Sequence, residues 1–196
     1  MSKGKDTQSR ILDKALDLAS QVGLEGLTIG NLAKSVNMSK SGLYAHFKSK
    51  EDLQSQVLNA AAGRFVEVVF LRANKEVEGL AKLRKLFECW LKWISGEFRG
   101  GCPFVAAATE FDDRKGSVHD KLLEHEWRLL RLISEFARRC VDEGDFREDL
   151  DIDQFAFEFW AIILAFHHFV RLLRHKDAHK RANQAFENLV RGASRT

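Results

Sequence analysis

The sequence predicts an all-α protein: a small N-terminal module of three short helices joined to a larger helical domain, about nine helices in all. Three observations lead there. The 196 residues include a single proline, Pro103, and few β-branched runs. Apolar residues recur at three- and four-residue intervals along most of the chain, the period of helices rather than strands. Hydrophobic residues make up 45% and charged residues 30%, which suits a folded chain and excludes a disordered one.

The elements follow in order. Ile11, Leu12, Ala15, Leu16, Ala19 and Val22 keep helical spacing, and Gly23 supplies a stop. Thr28 is placed to cap a short second helix carrying Ile29, Leu32, Ala33 and Val36, and Asn37–Met38 make a tight turn. Ser39 caps a third helix over 39–47 with Leu43 and Phe47 inward; Ser49 caps a fourth, with Glu51 and Asp52 in its first turn, where the helix dipole favours acids. Helices so short, joined by so short a connection, have the spacing of a helix-turn-helix. Longer helical patterns run over 50–72, 79–98, 103–112, 117–142, 153–174 and 177–192, broken at Gly79, "RGGCP", Gly116, "DEGDF" and "RHKD". The expected division is 1–52 and 53–196.

A net charge of +3 decides little, but no Asp or Glu lies between Gly26 and Lys50, a window that holds Lys34, Lys40, Lys48 and Lys50. An acid-free stretch is an electrostatic footprint for phosphates, although solvated lysines look the same. If the third helix reads a major groove, its outward face carries Lys40, Ser41, Tyr44 and His46, all able to bond base edges or phosphate oxygens. Gly42 costs that helix up to about 1 kcal/mol relative to alanine, and lets the backbone approach a groove wall. Lys48 and Lys50 flank the fourth helix's N-terminus, a ready phosphate clamp.

The stretch "LTIGNLAKSVNMSKSGLYAHFKSKEDL" (27–53) resembles the DNA-binding signature of the TetR (tetracycline-repressor) family of bacterial transcriptional regulators. Ile11–Leu12, Ala15, Gly23, Thr28, Ala33, Ser39, Gly42, Leu43, Tyr44, His46, Phe47, Lys50, Glu51 and Leu53 carry it, over about the first quarter of the chain. Gly30 and Asn31 stand where a charged pair is common, and Asn37 where glycine is usual. The resemblance implies that Thr28, Ser39, Lys40, Ser41, Gly42, Tyr44, His46 and Lys50 lie at or near double-stranded DNA, at a palindromic operator. It also implies a helical C-terminal domain that dimerises through its last two long helices and holds an effector pocket.

Residue patterns in the second domain agree. The segment 153–174 is apolar on nearly every side, as for a helix buried on two faces at a dimer interface; Phe157, Trp160, Leu164, Ala182, Phe186 and Leu189 are the interface candidates. Two reading heads in a symmetric dimer would reach half-sites about 34–36 Å apart. Phe87, Trp90, Trp93, Cys102, Phe104, Phe111, Trp127, Phe159 and Ile163 are candidate lining for a small apolar or aromatic effector, with ordinary core packing as the plainer account of each ring. Pro103 at the first position of a helix makes Cys102 its N-cap, where the dipole favours a thiolate. That opens an alternative, an electrophile- or redox-responsive regulator, set against a merely buried cysteine.

Other functions find less support. Three cysteines without a CxxC pair suggest neither a disulfide framework nor a zinc site. The histidine pairs His167–His168 and His175–His179 lack a convergent carboxylate, so no metal and no cofactor is expected. No nucleophile or phosphate-loop motif points to an enzyme. "MSKGKDTQSR" lacks an apolar signal core, and "FWAIILAFHHFV" (159–170) is too short for a bilayer, so a cytoplasmic protein with no membrane partner is expected. The expectation is a ligand-responsive, homodimeric DNA-binding repressor; a small-molecule-binding protein with little DNA function is the remaining alternative.

Overall fold

The structure, a computed structural model, describes residues 3–75 and 78–195, with side chains from Thr7 onward; Met1 and Ser2 of the polar opening stretch, Glu76, Val77 and Thr196 lie outside the described residues. In chain order the helices are α1 (Lys3–Val22), α2 (Ile29–Val36), α3 (Lys40–Tyr44), α4 (Lys50–Phe65), α5 (Leu71–Ala73), α6 (Gly79–Lys92), α7 (Pro103–Phe111), α8 (Ser117–Asp142), α9 (Ile152–Arg171) and α10 (Ala178–Ala193). A π-helical turn, Val66–Phe70, joins α4 to α5, and a second, Trp93–Glu97, extends α6. Among the described residues, counting each such run as one rod leaves nine, and the fold is all-α. Two compact units divide the chain: residues 1–64 with 98–125, and residues 65–97 with 126–196. The expected boundary after Asp52 falls inside α4, because Ser49 and Asp52 together start that helix.

In the first unit the local caps are those the sequence carries. Gly23 ends α1 with a φ of +80°. The Thr28 hydroxyl accepts the Asn31 N–H (3.1 Å) and the Asn31 side chain accepts the Thr28 N–H (2.8 Å), so two orphan donors of α2 are satisfied reciprocally. Asn37 takes the left-handed φ of 54° that the turn after α2 requires. Ser39 accepts the Gly42 N–H at 3.0 Å. Ser49 accepts the Asp52 N–H (3.1 Å), and Asp52 accepts the Lys48 N–H (2.8 Å). Leu27, Leu32, Leu43, Phe47 and Leu53 are fully buried, which fixes the outward face of α3 by elimination. That helix is shorter than expected: it closes at Tyr44, and the N–H groups of His46 and Phe47 both turn back to the Leu43 carbonyl.

The same unit contains α7 and the chain leading into it. The Gly100 N–H donates to Ser20 Oγ at 3.1 Å, and a methyl group on Gly100 would fall on the Ser20 carbonyl. Glu110 accepts the Glu25 N–H at 2.7 Å, its carboxylate filling the space beside Gly23. His125 Nε2 lies 3.0 Å from Asn59 Oδ1.

The second unit is built around an aromatic core. Phe87 stacks on Phe186 (centroids 4.1 Å, planes 8° apart) and meets Phe159 edge-on at 5.5 Å. Trp90 packs against Phe65 (4.8 Å) and Trp160 (5.6 Å), and Phe65 also meets Trp93 at 5.3 Å. Asp145 caps α6 from outside by accepting the Leu80 N–H at 2.7 Å. Asp151 caps α9 through the Gln154 N–H. α10 runs back along α9, and the hairpin is closed where Arg147 N–H donates to the Ala193 carbonyl and Phe146 bridges Ser194. No helix of the described residues is long and apolar enough to cross a membrane.

Candidate nucleic-acid interface

Thr28, Ile29, Gly30, Lys40, Tyr44, Lys48, Ser49 and Lys50 line one concave surface of about 610 Å³ on the first unit. The N-terminal end of α2, the face of α3 and the first turn of α4 all contribute to it. Lys40, Ser41, Tyr44 and Lys48 are exposed, and Tyr44 presents 57% of its surface to solvent. A tyrosine ring held out among lysines has no role in this unit's core, whose inward positions belong to Leu43 and Phe47. The surface therefore offers hydroxyl donors, ammonium groups and the N-terminus of α4, an arrangement suited to phosphate oxygens.

Several of the expected residues also have work inside the unit. Ser39 Oγ is the α3 cap and lies 3.0 Å from Ser41 Oγ; Thr28 Oγ1 is engaged in the α2 cap, leaving its own proton to donate. Gly42 is half-buried, and a Cβ there would sit 3.2 Å from Ser39 Oγ and 3.4 Å from the Met38 methyl. The glycine thus gives room to the cap as well as thinning the helix. His46 is half-buried after the end of α3, beside Phe47.

Lys50 holds a feature that sequence reasoning missed. Its ammonium sits 2.9 Å from Glu25 Oε1, and Arg114 approaches the other oxygen of Glu25 at 3.1 Å. The Lys50 hydrogen bond holds the Glu25 carboxyl below its ordinary value. Glu25 is the residue just outside the acid-free window, so only its distance in sequence from Lys50 hid the pair. Gly30 was noted as a departure; a Cβ on it would lie 3.5 Å from Lys40 Cε, so glycine leaves space for that lysine's stem.

The expected effector-lining residues are divided between the two units. Cys102, Phe104 and Phe111 belong to the first unit and Phe87, Trp90, Trp93, Trp127, Phe159 and Ile163 to the second. Phe87, Trp90, Trp93, Phe159 and Ile163 are buried in the second unit's core, whereas Trp127 is 54% exposed. The reason is helix phase: α8 buries Leu122, Leu129, Ile133 and Phe136, and Trp127 falls off that stripe. Three buried polar atoms of the second unit, Trp90 Nε1, Glu126 Oε1 and His167 Nε2, have no hydrogen-bond partner among the described residues. Burial pushes the Glu126 carboxyl up to about 7 and the His167 imidazole down to about 4.

Cys102 does occupy the N-cap of α7, but it is 1% exposed and its side chain makes no capping hydrogen bond. The thiol is not presented to solution, which removes the accessibility that a sensing role requires. Burial raises the thiols of Cys89 and Cys140, the latter to about 12. Among the described residues no three His, Cys, Asp or Glu side chains are grouped to hold a metal ion; His175 Nδ1 instead accepts the Asp177 N–H.

Of the expected interface residues, Phe157 and Leu164 are exposed, while Trp160 and Leu189 are half-buried. Ala182 and Phe186 are buried within the protomer, Phe186 by its stacking on Phe87, while Ala182 lines a cleft between α9 and α10. An outward apolar face runs through Phe157, Ala161, Leu164 and Ala165, bordered by clefts of about 540 and 340 Å³ between α9 and α10.

Comparison with known proteins gives two family matches: residues 11–57 to the bacterial regulatory proteins of the tetR family, and residues 79–186 to the tetracyclin repressor-like C-terminal domain. Among curated relatives, the biofilm operon icaADBC HTH-type negative transcriptional regulator IcaR of Staphylococcus aureus is 34% identical over 68 residues, which take in 35% of this chain and 37% of IcaR. This chain thus spans little over a third of that relative's length. A TetR-family regulator from Cytophaga hutchinsonii has a similar structure (TM-score 0.87, 18% identity, 100% of this chain and 98% of that one). So does AibR, solved with isovaleryl coenzyme A and operator DNA (TM-score 0.70, 20% identity, 90% and 95% covered).

Proposed function

Because this chain belongs to the TetR family of bacterial regulatory proteins, we propose that it is a homodimeric repressor, bound to a palindromic operator and released by a small apolar or aromatic effector. The observation that carries this reading is the concave surface where Lys40, Tyr44, Lys48 and Lys50 surround the start of α4. In the dimer, residues 39–47 of each protomer enter successive major grooves, with Lys40 and Tyr44 foremost and Lys48 and Lys50 on phosphates. Residues 1–52 are the reader and residues 53–196 the responding domain. The second copy covers Phe157, Ala161, Leu164 and Ala165, an exposed apolar face that water alone would otherwise meet.

The effector acts only by preferring the DNA-free arrangement, since equal affinity for both states shifts nothing. AibR, crystallised with both an acyl coenzyme A and operator DNA, supports a fold able to serve both ligands. IcaR, a negative regulator, supports repression as the sign. The test is a gel shift at low salt with DNA flanking the protein's own gene. Lys40→Ala and Lys50→Ala are expected to weaken retardation, Lys50→Ala equally on all sequences. Failure to retard any promoter fragment refutes the reading.

A further inference from the structure

The second unit carries its charge unevenly. From Asp142 to Asp153 there are seven acidic residues against Arg147 alone, whereas from His168 to Arg181 there are five Lys or Arg and three His against Asp177 alone. α9 separates the two clusters by roughly 30 Å, the length of a twenty-residue helix, and α10 returns along it. The acidic end is partly neutralised in place. Arg147 pairs with Asp149 and Arg195 with Glu148, while Asp145 and Asp151 cap helices. The basic end is not. Arg174, Lys176, Lys180 and Arg181 are exposed, and among the described residues none of them has a carboxylate within ion-pair distance.

Arg174 adds a second observation. Its φ is +47°, and the His175 N–H beyond it bonds back to the Phe169 carbonyl, closing α9 in the manner for which glycine is the cheap residue. A side chain in the left-handed region is disfavoured, yet an arginine stands there and projects another cation from the turn.

Within the unit, Phe87 meets Phe159 and Trp90 meets Trp160, so α6 and α9 run side by side in the same sense. α6 starts beside Asp145, at the acidic end, and its π turn finishes towards the basic end. Leu172 and Leu173 are also exposed here.

We propose that the turn between α9 and α10, through Arg174, Lys176 and Lys180, is a second DNA-phosphate surface, independent of base sequence and additional to the reading face. The proposal rests on the DNA-binding reading above. Unpaired cations in a turn match the regular charge of a duplex backbone, and each phosphate they neutralise releases condensed counterions. The acidic end, repelled by the same field, would help turn the molecule basic end first.

The test uses the full-length protein and a fluorescein-labelled duplex of arbitrary sequence, titrated by anisotropy over a range of salt. For the Arg174→Ala/Lys176→Ala/Lys180→Ala variant the slope of log K against log salt should shrink by up to about 3 per protomer, at ~0.9 for each lost contact, with roughly tenfold to hundredfold weaker binding at low salt. An Arg138→Ala/Arg139→Ala variant, which removes two exposed cations elsewhere on the second unit, should keep the wild-type slope. If the two variants lose slope alike, net charge and not this turn is responsible, and the proposal falls. It also falls if the triple variant keeps the wild-type slope, or if that variant loses only binding to phosphatidylglycerol vesicles, which would assign the turn to a lipid surface. A wild-type protein that binds no duplex at any salt overturns the DNA reading and this surface together.

Discussion

Glu126 sets up a stability test whose sign can be worked out in advance. Its carboxyl is buried without a hydrogen-bond partner for Oε1, and desolvation moves it from an ordinary 4.5 to about 7. The proton is therefore held more tightly in the folded chain than in the unfolded one. The associated stability is fully present below about pH 4.5 and is lost as pH rises through about 7, a change of roughly 3 kcal/mol at 1.36 kcal/mol per decade. His167 works in the opposite sense. Burial favours its neutral form, so its contribution is present above 6.5 and lost as pH falls through about 4. In the wild type the two nearly offset one another between these limits. Glu126→Gln removes one and exposes the other. Urea unfolding of both proteins at about pH 5 and about pH 8 should show the variant gaining roughly 2–3 kcal/mol relative to wild type on going to the higher pH. Any fixed cost of burying an amide cancels in that comparison. A stability difference that is the same at both values would refute the reasoning, because it would mean that Glu126 is already ionised, and solvated, in the folded chain.

Gly100→Ala should lower the melting temperature by at least about 2 °C, since a Cβ there meets backbone that cannot step aside and overpacking costs about 1–3 kcal/mol; an unchanged melt would mean the Gly100–Ser20 approach is loose. Phe186→Ala should cost about 3–5 kcal/mol in urea unfolding, because the ring packs between Phe87 and Phe159. A loss under about 1 kcal/mol would return Phe186 to the protein's exterior. Maleimide should label Cys102 slowly in the native protein and quickly once unfolded, as for the other buried thiols; rapid native labelling of Cys102 would revive a sensing role.

What the sequence made legible was whatever a few neighbouring residues decide. Thr28, Ser39 and Ser49 cap helices because hydroxyl and N–H lie within three residues, and Gly23 and Asn37 stop them through their own φ. The outward face of α3 was readable because Leu43 and Phe47 fix the opposite one. Phase was lost where a helix is apolar nearly all round: in α9 periodicity alone does not separate Phe159, packed inside, from Leu164, left outside. Partners far apart in sequence were equally hidden. Nothing near Gly100 announces Ser20, and nothing near Lys50 announces Glu25. The burial of Cys102 is decided by tertiary packing, which the N-cap argument does not address.

The pairing of Lys50 with Glu25 changes what that lysine can contribute to salt dependence. Without DNA, Lys40 and Lys48 have no ion pair among the described residues and draw their neutralising anions from solution; Lys50 carries its own, fixed in the fold. If a phosphate takes Lys50, as proposed above, Glu25 is left to Arg114, already 3.1 Å away. One tethered partner is traded for another and few mobile ions are set free. Lys50→Ala should therefore weaken binding while flattening the salt dependence by less than the ~0.9 expected of a solvent-neutralised lysine such as Lys40. On the proposed DNA-binding reading, Glu25 stands in for the phosphate, and Lys50 is kept in position at little cost in added ionic-strength sensitivity.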